Sequence, residues 1–503
     1  MSDSHRPNFS EITRNTVMVG GGSVINMALG LVRNKCIAML LGPPGVALTA
    51  LYTQIFEVGG AVTGFGLGAS GVRQIAAAKA SQDAVRMARV VKTLRTTVWC
   101  TGGLALFLMS VFASNISEFT FKSDAYRVPI IFLAVVIFIR ALITSQSCIL
   151  QGSRRVADGV KVSVGGAIAA LVAYLPFAYF WKLDGIAPGI LCATILNLGI
   201  SWWYARRVQI ETIEHSWAQT RSEARSLLVF GFPMMLTSLV GTFGPYFERV
   251  ILIKTIGLTE LGQYQAAYAI NGVALGFILS AMMADYYPKL MAHLDQPARM
   301  NKEVNAQIEI SLLFAVPGAV WILVGAPFLI SLLYTNEFTS ATSILTITVF
   351  GIVARVISWP LRLVLVAHGR VASLFFIEAG FASIGLAAVW LLSLKYGAVG
   401  GGFAFAGIHI LYALCMVIAA PQLLGLHVSK ANLLTALTSF IVISGLLLND
   451  WHNPIILIRT IIDVGVASAV TIVCLRRLLR HTGWKLTSLW QKTPPTSSAG
   501  ADT

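Results

Sequence analysis

Charge is scarce in this sequence. Only 12% of its 503 residues are charged, against about 25% in a soluble domain. A length of this order otherwise suggests about three soluble domains, but the chain lacks the polar material to cover them. Other absences narrow the chemistry. Cys36, Cys100, Cys148, Cys192, Cys415 and Cys474 form no CxxC pair and sit in apolar runs. A disulfide framework and a thiolate metal site are therefore excluded, and the cysteines are read as small buried hydrophobes. No GxxxxGK[ST] loop, dinucleotide fingerprint or HExxH helix occurs, so ATP hydrolysis and zinc-protease chemistry have no foundation. No polar stretch is long enough to fold outside a membrane. The expectation is a protein that is not an enzyme, without catalytic residues, metal or organic cofactor.

What the chain has instead is apolar runs of membrane-crossing length. A helix needs about 20 residues to cross the hydrocarbon layer. Such runs fall near 14–40, 44–70, 91–113, 126–150, 162–181, 184–205, 227–253, 261–287, 306–333, 341–367, 371–394, 398–421, 430–448 and 456–475. They do not alternate with period two, which excludes a β-barrel. Backbone groups in lipid have no water partner, so the runs must be helical. The predicted fold is an all-α polytopic membrane protein of about fourteen transmembrane helices. The run after Thr16 is read as the first span, because no small-residue cleavage site closes it.

Lysine and arginine set the orientation. With the N-terminus inside, 26 of them fall on the cytoplasmic side, 7 on the opposite side and 4 within spans. That bias predicts cytoplasmic N- and C-termini and an even number of crossings. It also accounts for the net charge of +15. The basic residues recur in short tracts between spans and form no nucleic-acid patch.

An internal repeat runs through the first and seventh spans. At an offset of 216 residues Arg33 meets Arg249, Tyr52 meets Tyr268 and Arg73 meets Lys289, and glycines also recur near the turns, Gly42 and Gly45 against Gly257 and Gly262. Six helices separate the copies, so both have the same orientation. Parallel repeats of this kind can flank a central cavity. The glycines at Gly400, Gly401 and Gly402 are expected to mark the turn into the twelfth span.

Ionisable residues inside spans carry the functional reading. A lone charge at the bilayer centre costs at least ~2.5–3.5 kcal/mol, so each needs a partner, water or a reach to the interface. Arg249, with Glu248 beside it, and Arg33 are candidates for an anion-binding cavity or for snorkelling helix ends. Arg140 and Arg355 are open between cavity lining and structural ion pairs. Glu57, Asp285 and Glu378 are candidate ion-pair partners or protonatable coupling groups. Tyr52 and Tyr268 are open between cavity lining and packing. Arginine stays charged, and its fork of donors matches phosphate oxygens, so the balance points to an anionic substrate.

The passages LLGPPGVALTALY, GFGLGASGVRQIAAA and MMADYYPKL resemble the bacterial polysaccharide and O-antigen repeat-unit flippases of the multidrug/oligosaccharidyl-lipid/polysaccharide exporter superfamily. The resemblance covers the first twelve spans. It implies a V of two six-helix lobes, residues 14–205 and 227–421, flanking a linker at 206–226. An N-terminal segment at 1–13, an accessory helix pair at 422–475 and a basic, largely disordered tail at 476–503 complete the chain. It implies alternating-access transfer of an undecaprenyl-diphosphate-linked oligosaccharide, such as an O-antigen unit for lipopolysaccharide, to the outer leaflet of the bacterial inner membrane. Arg33, Arg249, Arg140, Arg355, Glu248, Tyr52 and Tyr268 would then line the substrate cavity. H+ or Na+ coupling would run through Glu57, Asp285 or Glu378. A monomer is expected among membrane lipids, with a polysaccharide polymerase and a chain-length regulator as candidate partners. The rival readings are a cation-coupled multidrug exporter, a lipid II flippase and a non-transporting scaffold for glycan assembly.

Overall fold

The computed structural model describes residues 9–211, 217–452 and 456–482. Among them the chain is helical throughout: α1 (Phe9–Gly64), α2 (Leu67–Ala80), α3 (Ala84–Val111), α4 (Ala113–Phe121), α5 (Arg127–Gly152), α6 (Val156–Trp181), α7 (Ile186–Ala205), α8 (Trp217–Ala292), α9 (Pro297–Leu333), α10 (Thr339–Ala367), α11 (Val371–Leu424), α12 (Lys430–His452) and α13 (Ile456–Thr482). Nine of the described helices are long and apolar enough to cross a membrane, or ten with the bent pair Arg221–Leu236 and Gly241–Gly276.

The difference from the fourteen expected lies in three candidate spans of 48, 50 and 53 residues and in the 76-residue α8, each far longer than one crossing needs. Each turns back on itself. In α1 the break is Gly42, at φ 61°, a conformation that glycine adopts without the Cβ penalty. Pro43 and Pro44 follow at the start of the return helix, where a missing N–H costs nothing. A straight helix would separate Arg33 from Gln54 by about 31 Å, yet both line one small cavity. In α8 the break is Gly257, at φ 79°. Arg249 and Gln265, on either side of it, are hydrogen-bonded at 3.1 Å. In α11 the break is Gly397, at φ 60°. A Cβ on Gly385 would sit 3.4 Å from Ile408, 23 residues further on. The stretch Val156–Ala205 is split into α6 and α7 by a 3₁₀ turn at Lys182–Gly185.

Two expectations are corrected here. The turn before the twelfth predicted span is at Gly397, and the glycine triplet after it serves close packing. A Cβ on Gly400 would meet the Leu392 carbonyl at 2.1 Å, and one on Gly401 would meet the Tyr264 ring at 2.9 Å. The cysteines are all free, but only Cys148 is buried, while Cys100 and Cys415 are exposed. An apolar run in a membrane helix has a lipid-facing side, which periodicity cannot separate from the core.

The chain divides into two compact units. The first comprises Met1–Val273, Pro327–Ile347 and Val371–Ile408. Its α3 is capped by Asp83, whose carboxylate accepts the Arg86 N–H at 2.8 Å. A core of Leu67, Val90, Leu94, Cys148, Ile149 and Leu227 ties α2, α3, α5 and the start of α8 together. The second unit comprises Ala274–Ala326, Thr348–Arg370 and His409–Thr503. In it Asn301 and Asn305 of α9 bind the segment after α11: His427 N–H donates to Asn301 Oδ1 at 2.9 Å, and Ser429 N–H to Asn305 Oδ1 at 2.6 Å. Arg477 of α13 pairs with Glu309 at 2.9 Å, and Asn449 donates to the buried Asp463 at 2.8 Å.

Candidate functional site

The first unit holds a cavity of about 240 Å³ lined by both hairpins of the sequence repeat. Arg33, Thr49 and Thr53 come from the hairpin bent at Gly42, and Arg249, Gln265 and Ala269 from the one bent at Gly257. These three pairs of positions are each 216 residues apart. The repeat therefore brings equivalent positions of its two copies to the wall of one cavity. No residue lining it is acidic.

The two arginines are held differently. Arg249 is only 4% exposed. Its Nε donates to Gln265 Oε1 at 3.1 Å and its Nη1 to the Pro245 carbonyl at 2.8 Å. Its guanidinium carbon lies 5.1 Å from the Tyr268 ring centroid, a cation–π distance. Neighbours in a helix diverge, so Glu248 is engaged elsewhere and accepts the Tyr264 hydroxyl. Arg33 is half-buried, and its buried Nε has no hydrogen-bond partner among the described residues. The buried Oε1 of Gln54, on the same wall, is also unpartnered among them. An unsatisfied buried polar group costs roughly 1–3 kcal/mol, and more when charged. The cavity thus presents an unspent cationic donor on Arg33, beside Arg249, and no carboxylate on its wall to compete for them. Such an arrangement suits an anion.

The chain is pinched on either side of this cavity. At the Gly42 end, a Cβ on Gly262 would lie 2.0 Å from the Pro43 carbonyl oxygen, so the two hairpin tips touch through backbone. Gln263 reinforces the contact, donating to the Glu337 carbonyl at 2.7 Å and accepting the Ala341 N–H at 3.2 Å. Lys35 donates to the Ser331 carbonyl at 2.9 Å and to that of Tyr334, a cation at the C-terminus of α9. Further along, a Cβ on Gly66 would lie 2.0 Å from the Gly231 carbonyl oxygen, and Arg73 covers the Phe230 ring at 4.2 Å.

Arg140, Glu57, Tyr52 and Glu378 are not among the residues lining this cavity. Arg140 pairs with Glu57 at 2.9 Å and lies 4.7 Å from the Phe56 ring centroid. Tyr52 is 2% exposed and packs edge-on against Phe121. Arg355 is half-buried on α10, in the second unit. Glu378 is half-buried on α11. The Asp285 side chain lies outside the described residues. Sequence reasoning overlooked Gln54, Gln265, Thr49 and Thr53, because it searched for charges. The usable signal was the repeat itself, since Thr49 and Gln265 stand at the same offset as the two arginines. Among the described residues no group of three His, Cys, Asp or Glu side chains could hold a metal ion.

The family model described as polysaccharide biosynthesis protein matches residues 12–292, more than half of the chain and all of both repeat hairpins. The chain belongs to that family. It is a transporter of the multidrug/oligosaccharidyl-lipid/polysaccharide exporter superfamily, not an enzyme. Among curated proteins it is similar to the lipid III flippase of Escherichia coli (strain K12), 23% identical over 416 residues that make up 80% of this chain and 97% of the relative. Among solved structures it is similar to the lipid II flippase MurJ in an inward closed conformation, with a TM-score of 0.72 at 13% identity, covering 93% of this chain and 100% of that one. An inward-facing multidrug resistance MATE family transporter also matches, with a TM-score of 0.68 at 15% identity, covering 79% and 94%. These likenesses fix the family fold, and the arginine cavity stands within it.

Proposed function

We propose that this protein moves a polyprenyl-diphosphate-linked glycan from the inner to the outer leaflet of the bacterial inner membrane by alternating access. The three long candidate spans and α8 each cross twice, as the chain reversals within them support, and the six remaining spans cross once, which makes fourteen crossings with both termini cytoplasmic. The observation that carries the reading is that Arg33 and Arg249, one from each repeat, line a single cavity free of carboxylates. The diphosphate binds between the two guanidinium groups, the sugars follow into the wet cavity and the prenyl tail stays in lipid. The backbone contact of Pro43 with Gly262 is the outer closure, and that of Gly66 with Gly231 the inner one. Opening one while the other holds exposes the cavity to a single side.

The relatives named for lipid II and lipid III favour a cargo of that kind over the O-antigen unit, so the substrate is assigned at the level of a lipid-linked glycan. A multidrug exporter of cations would place acids where this cavity has arginines. Arg140 and Glu57 neutralise each other, and we assign them to holding their two helices together. The test is a leaflet-translocation assay in proteoliposomes with lipid II, lipid III and an O-antigen precursor side by side. Transfer of at least one, lost in Arg33→Gln, is expected. Export of cationic dyes with no transfer of any lipid-linked glycan would reject the proposal. A folded protein that moves nothing would leave the scaffold reading standing.

A further inference from the structure

A second cavity, of about 510 Å³, lies against α3 and shares no residue with the arginine cavity. Lys92, Arg95, Thr96 and Trp99 form one wall, and Ile210 and Glu211 the other. The second wall exists because the chain folds back after α7. Val208 and Ile210 pack onto the core that includes Val90, Val91 and Leu94 of α3. The volume is within the range of small-ligand sites, roughly 300–1,000 Å³.

The cavity sits at a chemical boundary on α3. Before it, basic residues stand at every third position: Arg86, Arg89, Lys92 and Arg95. Like charges at that spacing repel along a helix unless an anion lies among them. After it, the helix turns apolar and outward-facing. Trp99 is 58% and Phe107 64% exposed. Trp99, Gly103 and Phe107 are spaced by four, so they share one face of the helix. A Cβ on Gly103 would meet nothing within 4 Å, so the helix surface between the two rings is open. Exposed tryptophan beside basic residues is the composition of the headgroup level of a bilayer. Glu211 removes one of the two lining charges, so the pair Lys92 and Arg95 outweighs it by one.

We propose that this cavity binds one anionic phospholipid. The phosphate sits against Lys92 and Arg95 under the folded-back segment at 208–211, and an acyl chain runs along the Trp99–Gly103–Phe107 face. The basic end of α3 meets the inner leaflet by the lysine and arginine bias, where anionic headgroups attract such clusters. The site rests on the membrane-spanning reading of α3, and it is independent of which glycan the protein moves.

The test uses the full-length protein in a mild detergent and native mass spectrometry. Phosphatidylglycerol and phosphatidylcholine with identical acyl chains are titrated, with inorganic phosphate and glycerol 3-phosphate as competitors. One saturable phosphatidylglycerol site is expected. At roughly fivefold per basic residue near a membrane surface, Lys92→Gln with Arg95→Gln should weaken it about thirtyfold. Arg476→Gln with Arg480→Gln removes the same charge at the end of α13 and should leave it unchanged. Thr96→Trp fills the cavity without altering charge and should abolish binding in protein with an unaltered melting temperature. Three results would each overturn the proposal: equal weakening by the control pair, undiminished binding in folded Thr96→Trp, or displacement by phosphate at concentrations matching the lipid. The last would identify a free-phosphate site. Glycan transfer measured in the same preparations reads the other cavity, so failure here leaves that function untouched.

Discussion

Replacing Arg33 and Arg249 by glutamine, singly and together, probes whether one cargo anion touches both side chains. Hydrogen bonds to charged groups contribute roughly 1.5–3 kcal/mol each, which is about ten- to 150-fold in affinity. Arg249 already commits Nε to Gln265 and Nη1 to the Pro245 carbonyl, so it has fewer donors to offer. Arg33 has its buried Nε unspent. Arg33→Gln should therefore fall in the upper half of that range and Arg249→Gln in the lower half. If both hold the same diphosphate, loss of one lets it reposition on the other. The double variant should then lose less than the product of the single effects, with a coupling on the order of 0.5–3 kcal/mol. The measurements are equilibrium binding of a prenyl-diphosphate glycan in detergent and its transfer in proteoliposomes. Strict additivity within about 0.5 kcal/mol, or affinity unchanged in both single variants, would refute a shared anion site.

The remaining predictions concern the scaffold. Gly42→Ala places a Cβ at φ 61°, 2.8 Å from a Glu337 carboxylate oxygen; a left-handed conformation costs a residue with a Cβ about 1–2 kcal/mol, so thermal unfolding should come earlier. Gly60→Ala, inside a helix with nothing within 4 Å, should raise stability by about 0.5–1 kcal/mol in the same assay. At the Gly66–Gly231 contact, Gly231→Val should block the inner closure and slow transfer more than it weakens cargo binding, because its side chain would displace the Phe65 carbonyl now 2.1 Å from the Cβ position. Glu57→Arg and Arg140→Glu should each lower the melting temperature, and the charge-swapped double variant should recover most of the loss if the 2.9 Å pair is structural.

Much of the candidate site was legible before any coordinates. Arg33 and Arg249 stood out because charge in an apolar run is expensive, and the 216-residue offset linked them. Arg140 carried the same signal and led elsewhere. Arg140 meets Glu57, which lies 83 residues away, and no spacing rule announces that pairing. Neutral polar lining was invisible for the opposite reason. A threonine or glutamine in a membrane helix can satisfy itself on its own backbone, as Thr49 and Thr53 do at 2.8 and 2.7 Å.

The sequence by itself determined that the chain is helical, membrane-embedded and built on a repeat with arginine before a glycine turn. Hydrocarbon tolerates no unpaired backbone, and apolar length, glycine and proline are local properties written residue by residue. Tertiary structure alone decided which arginine faces a cavity and which finds an acid. It also placed the last turn at Gly397 instead of the glycine triplet. Those outcomes depend on which distant helix arrives opposite, and periodicity within one helix holds no information about its neighbour.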